Sequence, residues 1–272
     1  MVIQMDEKKF AKLNNISAEV RKDILRMVGI ARSGPLEKSL SAASLLVYLY
    51  WEEMLFVPDE PRREDRDRFM TDVPEAVPAL YAVLARRGFF EREHLWHYRR
   101  LGAMLQALPD FGRIPGVDAP CVAARPQIAM AGALARELFP AESSPRVIFL
   151  TDEKNLLCDE FIADLKKSSG KYTPNLLVLI LQNLRGDTAR IAVQARLSSF
   201  GWDVREAFSS DFESLENAFM SFNFAEGAPK ALVALQSEDV FVKLEHSEAF
   251  RSLSMGELDM ALEELEEKSN ER

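Results

Sequence analysis

The stretch Arg146-Val147-Ile148-Phe149-Leu150-Thr151-Asp152-Glu153 decides the fold of this chain. Its apolar, β-branched run ends at polar Thr151 and Asp152, a pattern typical of a strand that is buried on both faces. Residues 157–167 show helical spacing, and a second apolar run follows at residues 176–181. Two such strands joined by a helical crossover predict a parallel sheet that is covered by helices.

The same alternation extends in both directions along the chain. Apolar residues recur at helical spacing before the first strand, and further strands and helices alternate after the second. Asp211 stands where a helix N-cap is expected. Because we find no internal repeat or low-complexity linker, we predict one domain, residues 1–272, of three-layer α/β/α class with a mainly parallel sheet. The other predicted helices are residues 20–30, 40–55, 76–87, 91–105, 126–138, 188–200, 211–222 and 255–268, and the further strands are residues 202–207 and 230–235.

Composition limits the classes of partner and compartment. The net charge of −9 argues against nucleic acid or an anionic membrane as a main partner. The segment at residues 60–68 alternates acidic and basic side chains, which predicts a solvated turn. No apolar run is long enough to span a bilayer, and the charged start of the chain does not fit a signal peptide. Together with a content of only two cysteines, these features predict a cytoplasmic protein.

A longer set of motifs runs through the chain in one register, over about residues 15–265. The motifs are Val20-Arg21-Lys22-Asp23-Ile24-Leu25, Ala31-Arg32-Ser33-Gly34, Ser39-Leu40-Ser41-Ala42-Ala43, Asp65-Arg66-Asp67-Arg68-Phe69, Pro78-Ala79-Leu80-Tyr81-Ala82-Val83-Leu84, Pro109-Asp110-Phe111-Gly112-Arg113-Ile114-Pro115-Gly116-Val117, Asn175-Leu176-Leu177 and Phe200-Gly201-Trp202. With these motifs, the chain resembles the N-terminal, cofactor-binding half of transketolase. A set of this length is far more specific than a match to one short pattern.

The resemblance implies a thiamine diphosphate-binding fold with its site at the carboxyl ends of the strands. In the family, the positions that match Asp152 and Asn183 hold the divalent cation that clamps the diphosphate, Mg²⁺ or Ca²⁺, through hard oxygen ligands. Asp152 and Asn183 are therefore the candidate metal ligands of this chain. A lone Asp and Asn at strand ends also occur as polar caps in any strand–helix–strand unit, so both interpretations stay open.

Other positions of the family's cofactor site have changed. Where the family has Gly-Asp-Gly, this chain has Thr151-Asp152-Glu153, so a carboxylate replaces a glycine beside the diphosphate. Two like charges at ~4 Å repel by about 4 kcal/mol at an effective dielectric of about 20. Leu181 replaces the first Asp of the family's Asp-x-Asn, and residues 122–127 replace its Gly-Ser-Leu-Gly-Gln-Gly turn. Arg125, within that segment, is a candidate phosphate contact.

The histidines that handle substrate in the family are also replaced. His94 and His97 are three residues apart but lack a third ligand at metal spacing, and we interpret them as surface or half-buried side chains. His246 lies near another family histidine, in a segment that we interpret as a solvent loop. Four family histidines are matched by Pro35, Glu75, Leu108 and Ser210.

Three functions compete at this point. The first is a transketolase-like protein without catalysis, a structural or interaction subunit that binds no thiamine diphosphate. The alternative is the active N-terminal subunit of a divergent split transketolase, which transfers ketol groups between sugar phosphates. The third is a small-molecule sensor that uses the cleft. The changed glycines and histidines favour the first, whereas Asp152, Asn183 and Arg125 favour the second, since function depends on the site and not on the fold.

The resemblance also implies partners. In the family, the cofactor lies between this half of one protomer and the pyrimidine-binding half of another, and helices beside the sheet form the dimer surface. The apolar helix faces at residues 39–55 and 126–138 therefore predict at least a homodimer. A separate chain that resembles the C-terminal half of transketolase is a further expected partner.

Overall fold

The computed structural model describes residues 2–121, 127–139, 145–168, 173–183, 187–224, 227–236 and 254–270. The chain divides into two compact units, each assembled from separate stretches of sequence. The first unit contains Met1–Met54, Glu75–Pro115 and Glu238–Arg272, and the second contains Leu55–Pro74 and Gly116–Ser237. Whether the two units behave as one domain stays a prediction.

The described residues contain eight α-helices and five strands. The helices are α1 (Val2–Ala31), α2 (Glu37–Tyr48), α3 (Val77–Arg86), α4 (Ile128–Leu138), α5 (Asp159–Lys167), α6 (Asp187–Ser199), α7 (Phe212–Met220) and α8 (Met255–Asn270). The strands are β1 (Arg68–Thr71), β2 (Val147–Asp152), β3 (Leu176–Asn183), β4 (Asp203–Phe208) and β5 (Lys230–Gln236).

All five strands form one sheet in the second unit, in the order β1-β2-β3-β5-β4, and every pairing is parallel. Every residue of β2 and β5 is buried, as expected for strands covered on both faces. On one face, Phe149 and Val178 pack with Ile128 of α4 and Phe161 of α5 in a continuous apolar core. The predicted α/β class with a mainly parallel sheet is confirmed.

In the first unit, α1 contacts α2, α3 and α8. Nearly all of α2 is buried, and a π-helical turn, Leu49–Glu53, extends it. Gly29 lets α8 approach α1 closely, because a Cβ at Gly29 would lie 2.7 Å from Cδ2 of Leu258. The apolar face of α2, like that of α4, therefore packs largely inside the chain, and the homodimer stays a prediction.

Two local predictions are wrong. Residues 91–105 do not form one helix: a 3₁₀ helix, Arg92–His97, is followed by turns in which Arg99 and Gly102 adopt φ values of 59° and 78°. Those left-handed residues end any regular helix. Within the segment predicted as a solvated turn, Arg66 and Asp67 are buried at 9% and 4% exposure. These charged side chains can be buried because each pairs with a side chain of opposite charge.

Within the described ranges, we find no helix that is both long and apolar enough to cross a membrane.

Candidate functional site

Asp152 lies at the carboxyl edge of the sheet, as the last residue of β2, and is buried. One of its carboxylate oxygens, Oδ1, accepts a hydrogen bond of 2.9 Å from the backbone N–H of Lys154. The side chain thereby caps the 3₁₀ helix Glu153–Leu157. In this structure, Asp152, one of the two predicted metal ligands, thus has a local structural role.

Glu153 connects β2 to the neighbouring strand. Its Oε1 accepts a hydrogen bond of 3.3 Å from the backbone N–H of Asn183, the last residue of β3. In the parallel register, Asp152 is paired with Leu181. The structure therefore brings Asp152, Glu153 and Asn183 together at one edge, and the Glu153 carboxylate lies between the ends of the two strands.

A fourth residue of this edge, Asp72, was missed by the sequence analysis. It directly follows β1, it is 6% exposed, and neither carboxylate oxygen has a hydrogen-bond partner among the described residues. Burial raises the pKa of Asp72 to about 6, although the hydroxyl of Thr151 and the backbone N–H of Gln127 face the carboxylate and act in the opposite direction. These donors are near enough to influence the charge, but they do not reach hydrogen-bonding geometry.

Further buried polar atoms without partners lie along the same edge. They are Oε1 of Gln127, which precedes α4, both amide atoms of Gln182 near the end of β3, and Nε2 of Gln236 at the end of β5. Buried polar groups are nearly always hydrogen-bonded in folded proteins, so a row of unpaired ones marks a wet or ligand-accepting region. The sequence signal for two of these residues was a glutamine at the end of an apolar run, as at Gln182 and Gln236.

The remaining predicted site residues are dispersed or outside the described ranges. Arg125 and residues 122–126 as a whole lie outside them, as does His246. Pro35, Glu75 and Leu108 belong to the first unit, whereas Ser210 belongs to the second.

The two histidines of the 3₁₀ helix in the first unit do not form a metal site. His94 and His97 are exposed, which confirms their interpretation as surface side chains. Across the residues that the structure describes, no group of three or more His, Cys, Asp or Glu side chains is arranged to hold a metal ion.

Comparison with known proteins gives relatives of one kind. The chain is 26% identical over 228 residues to an apulose-4-phosphate transketolase subunit of Phocaeicola vulgatus, a match that covers 80% of each chain. It is 36% identical over 99 residues, 36% of each chain, to the 6-deoxy-6-sulfo-D-fructose transketolase subunit SqwG of a Clostridium species. A mutant transketolase of Pichia stipitis superposes with a TM-score of 0.78 at 18% identity, over 95% of this chain and 43% of that chain. No family model matches the chain.

Proposed function

We propose that this chain, a relative of the N-terminal half of transketolase, is an interaction subunit that retains the family's sheet without using thiamine diphosphate. The proposal concerns the chain's own role, since the chain spans less than half the length of the solved transketolase it matches. In this role, the sheet supports surfaces that bind other subunits, and no step of catalysis passes through Asp152 or Asn183.

The observation that supports this proposal is the Glu153 side chain between the ends of β2 and β3. The Glu153 carboxylate accepts a hydrogen bond from the backbone N–H of Asn183. A bound anion would compete for the same donor. The residues present therefore do not fit a diphosphate, because the anion would meet a fixed negative charge. A nearby Asp72 adds a second carboxylate to the same edge of the sheet. Among the residues that the structure describes, no group of three or more His, Cys, Asp or Glu side chains is arranged to hold a cation that would offset these charges.

A titration of the purified protein with thiamine diphosphate in the presence of Mg²⁺ tests the proposal. We expect isothermal calorimetry to detect no binding at cofactor concentrations of about 100 µM, since repulsion of about 4 kcal/mol weakens binding roughly a thousandfold. A transketolase with an intact cofactor site, measured in the same buffer, is the positive control. A dissociation constant in the micromolar range would contradict the proposal.

The second candidate is an active N-terminal subunit of a split transketolase. It is favoured by the Phocaeicola vulgatus relative, which is named as one subunit of a transketolase and matches over 80% of both chains. It is also favoured by the retention of Asp152 and Asn183 on adjacent strands. If this candidate is right, ketol transfer will require a second chain, and cofactor binding will appear once that chain is added to the titration.

Partners and compartment belong to the same proposal. We propose that the chain self-associates at least to a dimer and also binds a chain resembling the C-terminal half of transketolase, as the subunit names of its relatives suggest. A cytoplasmic location, expected because the chain contains only two cysteines, is part of the same proposal.

A further inference from the structure

A loop of the first unit exposes large apolar side chains. Leu101 is fully exposed, Phe111 is 60% exposed and Leu108 is 40% exposed, all within residues 99–113. Single exposed apolar residues are ordinary on protein surfaces, but three on one short segment form a patch of the kind that marks an interaction site.

The loop is held in place by internal hydrogen bonds. The amide of Gln106 donates to the carbonyl oxygens of Arg100 and Ala103 at 2.9 and 2.8 Å. Its backbone carbonyl accepts from the hydroxyl of Tyr81 at 3.0 Å. The guanidinium of Arg113 donates to the carbonyl of Gly102 at 2.9 Å, which joins the segment of Leu101 to the segment of Phe111. The patch is therefore a preformed surface, which lowers the entropy lost on binding.

The same loop carries a net positive charge, since Asp110 is the one acidic residue beside three arginines. Arg99, Arg100 and Arg113 are exposed, and none of them pairs with an acidic side chain of the described residues. Such a cluster is unexpected in a chain with a net charge of −9. An apolar surface bordered by arginines fits a partner that is acidic and partly apolar.

Helix α8 presents a surface with those properties. Asp259, Glu263 and Glu267 are exposed, and they recur every four residues, so they form one stripe about 12 Å long. No described basic side chain pairs with these three carboxylates, in contrast to Glu266, which pairs with Lys22 at 3.5 Å. Like charges four residues apart destabilise a helix unless a cation lies between them. Met260, 59% exposed, adds an apolar contact beside the stripe.

We infer that residues 99–113 form a docking surface for α8 of a second copy of this chain. Within one chain, both faces are exposed, so each is available to another copy. Since each copy carries one loop patch and one acidic stripe, a two-fold arrangement pairs both sets and closes the assembly at a dimer. This inference rests on the proposed self-association and gives it a location.

Charge reversal with rescue tests the pairing. We expect light scattering after size exclusion to show the full-length chain as a dimer near twice 30.8 kDa. The variant Arg99→Glu/Arg100→Glu, which keeps the Arg113 hydrogen bond that holds the loop, should raise the dimer dissociation constant at least about tenfold, as should Glu263→Lys/Glu267→Lys. Mixing the two variants should restore a heterodimer, because each then offers one complementary pair. High salt should weaken the wild-type dimer, since exposed charges are screened.

Matched controls separate docking from general charge and from misfolding. The variants Arg62→Glu/Arg136→Glu and Glu137→Lys/Glu160→Lys reverse exposed charges outside both surfaces. They change the net charge as much as the docking variants do and should leave the dimer unchanged. Circular dichroism should give wild-type spectra and melting curves for every variant. Leu101→Ser/Phe111→Ser should also weaken the dimer, without any change of charge.

Three outcomes would overturn the inference. A wild-type monomer at micromolar concentration would remove both the self-association and the docking surface. A dimer that is unaffected by all three docking variants would keep the self-association and reject this surface. Weakening without rescue in the mixture would reject α8 as the occupant. None of these outcomes depends on the cofactor titration, so the two proposals fail separately.

Discussion

At the residue scale, Asp72 gives a prediction about pH. Its folded-state pKa is raised from 3.8 to about 6 by burial, so the unfolded chain binds fewer protons than the folded chain between these values. Stability is therefore fully present below pH ~4, falls as the pH rises, and is lower by up to about 3 kcal/mol above pH ~6. We expect Asp72→Asn to stabilise the protein by a comparable amount at pH 7.5 and to have little effect at pH 4.

Urea unfolding of wild type and Asp72→Asn across this pH range measures the difference. Asp110→Asn, an exposed carboxyl in the first unit, is the control and should change stability equally little at every pH. A difference between wild type and Asp72→Asn that stays constant from pH 4 to pH 8 would show that the Asp72 carboxyl ionises normally.

Glu153 gives a second prediction at this scale. We expect Glu153→Gly not to confer binding of thiamine diphosphate, because position 181, where the resemblance implies an acidic anchor, is still a leucine, and Asp152 still accepts the Lys154 N–H. Calorimetry with Mg²⁺ checks this, with Lys154→Gly as the control for a more flexible turn. Tight binding after this single change would mean that Glu153 alone blocks the site.

At the element scale, buried ion pairs fix the entry to β1. Asp118 accepts hydrogen bonds from the Arg66 guanidinium and from the Phe69 backbone N–H. Asp67 accepts from the Leu55 N–H at 2.9 Å and pairs with Arg146 at 2.8 Å. The charged segment before β1 is therefore a clamp for the first strand of the sheet, which explains why its charges alternate.

Removing one partner of this clamp should lower the stability of the folded protein. We expect Asp118→Ala to destabilise the protein by about 3–5 kcal/mol, because the buried Arg66 guanidinium loses its counter-charge. The control is Asp65→Ala, which removes an exposed pair with Arg63 and should have little effect. Chemical denaturation of both variants provides the comparison, and similar losses of stability in the two would show that the Arg66–Asp118 pair is solvated.

Individual elements also show what the sequence can and cannot predict. The strands β2 and β3 were predicted because uninterrupted apolar runs identify strands buried on both faces. The four-residue β1 was missed, since its run is too short to stand out after a charged segment. Asp72 was missed for the same reason, and the groups that face its carboxylate, Thr151 and Gln127, are distant in sequence. The turn at Arg99 depends on local backbone geometry that apolar spacing does not report.

At the scale of the whole molecule, the interleaving of the two units bears on cooperativity. The first unit is built from three stretches of chain and the second from two, so the chain passes between the units repeatedly. The stretches of one unit are joined covalently to stretches of the other. When one unit folds, it therefore also fixes the positions where the other unit's stretches begin and end. We therefore expect a single unfolding transition, as the prediction of one domain requires.

Differential scanning calorimetry measures this directly, with the calorimetric and van't Hoff enthalpies expected to agree. The variant Gly29→Ala, which disturbs the contact of α1 with Leu258 of α8, should shift the whole transition. If it instead separates an early transition from a late one, the two units unfold independently.

The contact between α1 and α8 also has a consequence for biosynthesis. Helix α1 ends at Ala31, whereas α8 begins at Met255, so the ribosome makes the entire sheet before it makes the helix that covers Gly29. At about 5–20 residues per second, the nascent α1 waits roughly 10–45 s for that partner. During this interval the surface of α1 around Gly29 lacks the contact with Leu258, so a chaperone can bind there while translation continues.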